Sequence, residues 1–506
     1  MADNIPTLLQ QALALHQQGH LQQAENLYAR VLQIDPRQFD ALHLIGLIAK
    51  QRGDLESALN FFGKALQVDS QQAKLHCNLG ASLQEKGEAL HALASYETAL
   101  RLQPDYAMAW NNRGNTLRSL QRYQEALDSF EQAMRFQTNY PEAYVNRGIC
   151  LQEVNEHAQA ILDFEDALRL RPNYGAAWFA LGFSHQQLQD YEQALASYQQ
   201  ALVLMPGHSP AYYNRAIVLI KLERYTDALD DLQQLIDIQP KSSSAYLQRG
   251  HALRHLQCFS EAVQAYQMAL ERGGDAQQIQ YHLASLGVGA SPSMAPPTYV
   301  ADLFDQYAER FDQHLQQQLD YQVPQLLNQA LQALRTPQNA AHDVALRFNR
   351  ALDLGCGTGL CAPFLKSIAE TLDGVDLSPK MLEKARQRHL YDSLYCQEIV
   401  EFLTQSVSLY DLMLAADVLV YFGDLQAVFE TVYTQLEAMG IFAFSVEAAT
   451  EIGWQLQPSH RYAHSENYIR TLAKQVGFEL LELTLHHGRR EQQQSVSSFI
   501  VVLKKS

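Results

Sequence analysis

The chain has 506 residues, of which 47% are hydrophobic and 18% charged, with a formal net charge of -17. At about 100 to 200 residues per domain, that length excludes a single core and predicts roughly three units, or one repeat array joined to a domain. Cutting the charges at residue 276 leaves both portions acidic, with 22 basic against 30 acidic residues before it and 16 against 25 after it. Neither a nucleic acid nor an anionic membrane finds its basic footprint here.

The opening MADNIPTLLQ lacks the basic and apolar regions of a signal peptide, and no apolar run approaches the roughly 18 residues of a membrane span, which predicts a cytoplasmic chain. Cys77, Cys150, Cys258, Cys356, Cys361 and Cys396 form no CxxC pair, so they are read as reduced thiols, and no metal site is expected.

From the N-terminus, Pro36, Pro104, Pro172, Pro206 and Pro240 fall on a 34-residue ruler, with Ser70 and Thr138 at the intermediate marks. Twelve residues before successive marks stand Ala24, Ala58, Ala92, Ala126, Ala160, Ala194, Ala228 and Ala262. Eight before them stand Tyr28, Phe62, Tyr96, Phe130, Phe164, Tyr198, Leu232 and Tyr266. Glycine recurs 24 before, at Gly46, Gly80, Gly114, Gly148, Gly182 and Gly250, with Ala12 and Ala216 replacing it in two repeats. Such a unit is a pair of helices whose small residues permit close approach and whose aromatic fills the adjacent hole, with proline breaking the chain before the next unit. The pattern resembles the tetratricopeptide repeat (TPR), in eight copies over residues 5–276, and this resemblance implies a superhelical groove that holds a protein or peptide. Asn78, Asn112, Asn146 and Asn214 recur at one first-helix position, where a row of amides could clamp an extended peptide backbone or simply face solvent.

After Gly273-Gly274, residues 277–297 read as a capping helix followed by a Gly/Ser/Pro linker, GVGASPSMAPP. The remainder, 298–506, reads as a separate α/β domain. There the apolar run ALDL enters GCGTG and then a helix-like segment, a strand–turn–helix that places backbone N–H groups beside a ligand. Asp353 precedes the turn, and Asp376 ends the next apolar run, where a carboxylate can accept hydrogen bonds from both ribose hydroxyls. The glycines Gly355, Gly357 and Gly359 are spaced GxGxG, without the GxxxxGK[ST] of a phosphate loop.

These features resemble the class I S-adenosylmethionine methyltransferases. The segments YVADLFDQYAERFDQHLQQQLDYQVP and LQPSHRYAHSENYIRTLAKQVGFELL extend the likeness to bacterial predicted methyltransferases that carry tetratricopeptide repeats. The resemblance implies an α + α/β chain in which a TPR superhelix precedes a Rossmann-like, seven-stranded, mostly parallel sheet. It further implies S-adenosyl-L-methionine as cofactor, with Asp353 before the turn, Gly355, Gly357 and Gly359 at the methionine part, Asp376 at the ribose, Leu377 or Met381 at the adenine, and Glu398 at its amino group. Ala416 ends the fourth strand beside the pocket, and Tyr307, Phe304 and Phe311 form a lid.

Methyl transfer is an in-line displacement that needs alignment and exclusion of water, and needs a base only if the acceptor must lose a proton. Asp417, Tyr421, Arg461 and His464 are the candidates on the acceptor side. AADV stands where base-amino methyltransferases carry [DN]PP[YF], which argues against a nucleic-acid acceptor. A protein or peptide delivered by the array is the leading reading. A small-molecule acceptor with the repeats used for assembly, and a cofactor-binding scaffold of weak activity, remain alternatives.

Overall fold

From Ile5 to Ile238 the chain is a succession of helix pairs, beginning with Ile5–Gln17 and Leu21–Ile34 and reaching Ser209–Lys221 and Tyr225–Ile238. The computed structural model describes residues 4–309, 311–312, 321–334, 347–491 and 494–506. It divides into two units, Met1–Pro240 and Lys241–Ser506. Among the described residues, no helix is long and apolar enough to cross a membrane.

In the first unit the 34-residue ruler is a packing rule. The marker alanines and aromatics are fully buried, and each marker glycine lies under the ring of its own repeat. A Cβ on Gly46 would stand 2.5 Å from Phe62, and those on Gly114 and Gly148 would stand 2.6 Å from Phe130 and Phe164. Glycine therefore suits the close approach of the ring, although the first repeat seats Ala12 with Tyr28, both fully buried. In the seventh repeat Leu232 replaces the aromatic, and Ala216 replaces the glycine: a smaller filler tolerates the extra methyl. The turn inside each pair passes through the left-handed region, on Gly19, Gly53 and Gly87 in the first three repeats but on Gln121, Asn155, Gln189 and Glu223 in the next four. Ion pairs tie the helices of some repeats together. Arg147 holds Asp163 at 2.5 and 2.8 Å, and Arg215 holds Asp231 in the same two-pronged way.

The second unit opens with the helices Ser243–His255, Phe259–Glu271 and Ala276–Ser285. The next helices, Pro297–Tyr307 and Val323–Ala333, lead into the sheet. Its strands are β1 (Phe348–Leu354), β2 (Ala369–Asp376), β3 (Ser393–Cys396), β4 (Tyr410–Ala415), β5 (Leu436–Ala448), β6 (Trp454–Leu456), β7 (Tyr462–His464), β8 (Phe478–Glu491) and β9 (Gln494–Lys505). The order β3-β2-β1-β4-β5 is parallel throughout, and β9 joins β5 antiparallel with β8 beside it. These are the seven expected strands. The chain adds a short hairpin, β6–β7, whose second strand pairs in parallel with the end of β5 at Glu447 and Ala448. Apolar residues of the central strands are fully buried, among them Leu352, Leu354, Leu412, Leu414, Phe442 and Phe444, as expected for strands covered on both faces. All the strands that carry site residues end on one edge, where open α/β sheets bind their ligands.

Candidate cofactor and acceptor site

At the end of β1 the backbone turns on Gly355, Gly357 and Gly359, all left-handed with φ of 66°, 54° and 83°. A Cβ on Gly355 would overlap Val418, and one on Gly359 would stand 2.9 Å from Tyr391. By contrast, a Cβ on Gly357 would meet only Phe311, in ordinary contact at 3.9 Å, so here the left-handed backbone, rather than a close neighbour, calls for glycine. Asp376 braces this turn. Its Oδ2 accepts the Gly357 N–H and its Oδ1 the Ser378 N–H, each at 2.8 Å. Each oxygen keeps a further lone pair for a ligand hydroxyl. Burial pushes the Asp376 carboxyl up, and the backbone donors oppose it.

Asp353 lies deeper, 1% exposed, with Oδ2 accepting the Tyr391 hydroxyl at 2.7 Å. Burial pushes its carboxyl up to about 7, with Asp376 adding to the rise and Tyr391 opposing it. Glu398 caps the helix Ile399–Gln405 through Oε2, which accepts the Glu401 N–H at 2.9 Å. Its Oε1 is buried without a hydrogen-bond partner among the described residues, as an acceptor awaiting a donor would be. Met381 is fully buried, whereas Leu377 and Ala416 are partly exposed at the edges of the core.

The segment after the helix Pro297–Tyr307 lies against the turn. Phe311 contacts Phe304 and Tyr307 edge-on at 5.9 and 5.4 Å, and Phe304 reaches Tyr421 at 5.6 Å. Three carboxylates fasten it. Asp305 accepts from the Ser378 hydroxyl at 2.5 Å and the Lys380 N–H at 3.2 Å, Glu309 pairs with Lys384 at 2.7 Å, and Asp312 accepts from Thr358 and Arg388. The acidic residues are spaced to share one face of their segment, as Lys380, Lys384 and Arg388 do on the facing helix.

Just past β4, Asp417 has φ 56° and donates its N–H to Ser445 Oγ at 2.8 Å. Arg489 of β8, 3% exposed, reaches both Asp417 oxygens at 2.9 and 3.2 Å and also bonds Glu447. Arg461 faces Glu447 at 3.4 Å and hydrogen-bonds with Tyr421. Burial pushes the Asp417 carboxyl up while Arg461 opposes it. The Tyr321 phenol is also pushed up by burial and feels the charges of Asp417, Asp353 and Arg461. Thus Asp417, Tyr421 and Arg461 come together in one network. His464 is fully buried, stacks on Tyr468 and donates Nε2–H to the Gly423 carbonyl at 2.9 Å. Burial pushes its pKa down to about 4, so the ring is neutral near neutrality.

In the first unit the asparagines link successive repeats. Asn78 meets His43 at 2.8 Å, Asn112 donates weakly to Cys77 Sγ at 3.8 Å, and Asn146 donates to Asn111 at 2.9 Å, each across 35 residues. Asn214 instead bonds the Tyr198 phenol. Part of the amide capacity is therefore spent on stacking the repeats. A cleft of about 620 Å³ opens beside this row, lined in part by Asn111, Tyr140, Glu142, Asn146, Arg171 and Tyr174.

Residues 352–442 match the sequence profile of a methyltransferase domain, and tetratricopeptide-repeat profiles match segments from residue 5 to residue 247. The chain carries tetratricopeptide repeats and a methyltransferase domain. It is 30% identical over 108 residues to malonyl-[acyl-carrier protein] O-methyltransferase of Enterobacter lignolyticus (strain SCF1), covering 21% of this chain and 43% of that protein. It is 35% identical over 130 residues to human methyltransferase-like protein 27, covering 25% and 47%. The match thus spans less than half of each relative. Among solved structures, YrrB, a TPR protein with an unusual peptide-binding site, is 29% identical with a TM-score of 0.32, covering 36% of this chain and 95% of that one. The Pseudomonas aeruginosa pilF structure is 26% identical with a TM-score of 0.38, covering 41% and 94%.

Several residues around the methyltransferase-domain cleft escape a reading of the sequence: Tyr391, Arg388, Asp312, Glu447 and Arg489. Each reaches the site from an element remote in sequence, and only Asp312 lies in a segment that the family likeness covers.

Proposed function

We propose that the domain at 298–506 binds S-adenosylmethionine in the cradle between Asp376, Glu398 and the Phe311 ring, and that the repeats at 5–276 bring it a protein or peptide acceptor. The observation that carries this reading is the pairing of a braced carboxylate with a left-handed glycine turn lying against an aromatic ring. Asp376 holds the Gly357 N–H and retains lone pairs for ribose hydroxyls, while the Phe311 ring lies 3.9 Å from where a Gly357 Cβ would stand. The unpaired Glu398 oxygen fits the adenine amino group. When bound, the cofactor supplies an activated methyl group; the chain's own work is to bind, orient and exclude water. Phe304, Tyr307 and Phe311 shield the cleft, and the Asp417–Arg489–Glu447–Arg461 network faces the acceptor.

The relative named for malonyl-[acyl-carrier protein] acts on an acceptor carried by a protein, which supports a protein-borne acceptor here. Recruitment by the array would raise the acceptor's concentration beside the cleft. The proposal includes a cytoplasmic chain with no nucleic-acid or membrane partner, in keeping with its net charge of -17. The test is a calorimetric titration with S-adenosylmethionine. Wild type binds in the micromolar range and Asp376→Ala loses about tenfold or more, the loss of one or two charge-assisted hydrogen bonds; a wild type that does not bind refutes the reading.

A further inference from the structure

Two loops carry the acceptor-side residues, and both are held by chain that lies before the sheet. The first is the β6–β7 turn, which bears Arg461. Arg254, in the helix Ser243–His255 of the eighth pair, donates to the Pro458 carbonyl at 3.2 Å. From the helix Ala276–Ser285, His282 Nδ1 meets His460 Nε2 at 2.8 Å, and the Tyr281 hydroxyl donates to the His460 carbonyl. His251 backs His282 at 3.3 Å between ring nitrogens. Tyr299 closes the cluster, with its ring 5.4 to 5.9 Å from those of Tyr281, His282 and His460. The second loop bears Tyr421. Residues 292–295 of the Gly/Ser/Pro stretch run along it as a strap. The Ser293 carbonyl accepts the N–H groups of Gly423 and Asp424 at 2.7 and 2.9 Å, Met294 pairs with Phe422, and the Ala295 N–H donates to the Tyr421 carbonyl at 2.8 Å. Tyr462 returns a bond from the first loop to the strap, its hydroxyl donating to the Pro292 carbonyl at 2.8 Å.

His460 is the residue before Arg461, is 4% exposed and has φ 62°. A non-glycine residue stays in that region only where its surroundings over-determine it. Here the surroundings are Tyr281, His282, Tyr299 and Arg254. Release of His460 to a right-handed backbone would redirect Arg461 away from Glu447 and Tyr421, and misplacement by about 1 Å can reduce a rate on the order of a hundredfold.

We propose that Arg254, Tyr281 and His282, with the strap 292–295, are positioning residues of the acceptor site, so that the first helix of the last pair and the helix after that pair support the site rather than only extend the peptide-binding array. This rests on the reading of the cleft as a methyltransferase site.

The test uses the full chain with Tyr281→Phe, Arg254→Gln, Arg461→Ala and the double variant Tyr281→Phe/Arg461→Ala. Hydrogen exchange at residues 457–462 needs no acceptor: Tyr281→Phe is expected to speed it by about tenfold or more while exchange at 352–376 is unchanged. Transfer of tritiated methyl groups from S-adenosylmethionine into cell extract is read as a function of extract concentration. Tyr281→Phe and Arg254→Gln raise the half-saturating amount by about tenfold, with S-adenosylhomocysteine affinity within about twofold of wild type, and the double variant is no worse than Arg461→Ala alone. Unchanged exchange at 457–462, effects that multiply in the double variant, or a matching loss of S-adenosylhomocysteine binding would each overturn the proposal. If wild type binds no S-adenosylhomocysteine, the methyltransferase reading fails instead, and the exchange measurement still decides whether these residues anchor the turn.

Discussion

Replacing Arg489 by methionine removes the cation shared by Asp417 and Glu447 and keeps most of the side-chain volume. Arg489 and Glu447 are 3% and 7% exposed, and the Asp417 side chain is 15% exposed, so water cannot take the guanidinium's place. Breaking a buried pair in this way costs about 3–5 kcal/mol. An independent ceiling follows from proton uptake. A carboxylate with an unfolded pKa near 3.9 can be neutralised at pH 7 for about 3 units at about 1.4 kcal/mol each, or about 4 kcal/mol. The two figures agree, and the second fixes the pH dependence. In the variant the folded-state pKa of Asp417, already raised by burial, rises further. Relative to wild type the penalty is therefore absent until the pH passes the wild type's own raised folded-state pKa, and grows from there until the variant's is passed. The expected deficit is small at pH 5 and larger at pH 8, up to about 4 kcal/mol. The measurement is urea unfolding followed by Trp454, which packs on Tyr462 at 5.6 Å, in a background where Trp110 and Trp178 are replaced by phenylalanine. A deficit below about 1 kcal/mol at pH 8, or one equal at both pH values, would refute the argument that these carboxylates depend on Arg489 for their charge.

Asp353→Asn acts in the same pH range with the opposite sign. Because the folded pKa is raised to about 7, the wild type loses stability as pH climbs from about 4 to 7, by at most about 4 kcal/mol. The asparagine variant should lack that slope, and melting temperatures of the pair measured from pH 5 to pH 8 should diverge with the variant gaining. In the array, Gly148→Ala drives a methyl to 2.6 Å from Phe164 and should cost about 1–3 kcal/mol; an unchanged thermal midpoint by circular dichroism would show that the ring moves freely. Gln189→Gly should stabilise the same unit by up to about 1 kcal/mol, since Gln189 stands at φ 60° where only glycine is unstrained. Destabilisation there would mean the glutamine side chain contributes more than its backbone strain removes.

How much of this protein was legible before its coordinates depended on sequence distance. The contacts that define a repeat join residues 16 apart, such as Gly148 and Phe164, and recur every 34 residues, so their spacing is written directly in the chain. The same holds for the strand–glycine turn–helix run with Asp376 at the next strand end, because the cradle is assembled by neighbouring elements of one crossover. The repeat asparagines were legible as a row, but not their use in repeat stacking, because the partners His43, Cys77 and Asn111 follow no fixed residue type. Tertiary structure alone decided that Tyr391 backs Asp353 from 38 residues away, that Arg489 reaches Asp417 across 72, and that Arg254 and His282 hold a turn some 200 and 178 residues further on. Such pairs meet once, between elements of unrelated period. Burial makes their hydrogen bonds and charges obligatory, yet that requirement appears only after folding has removed the water.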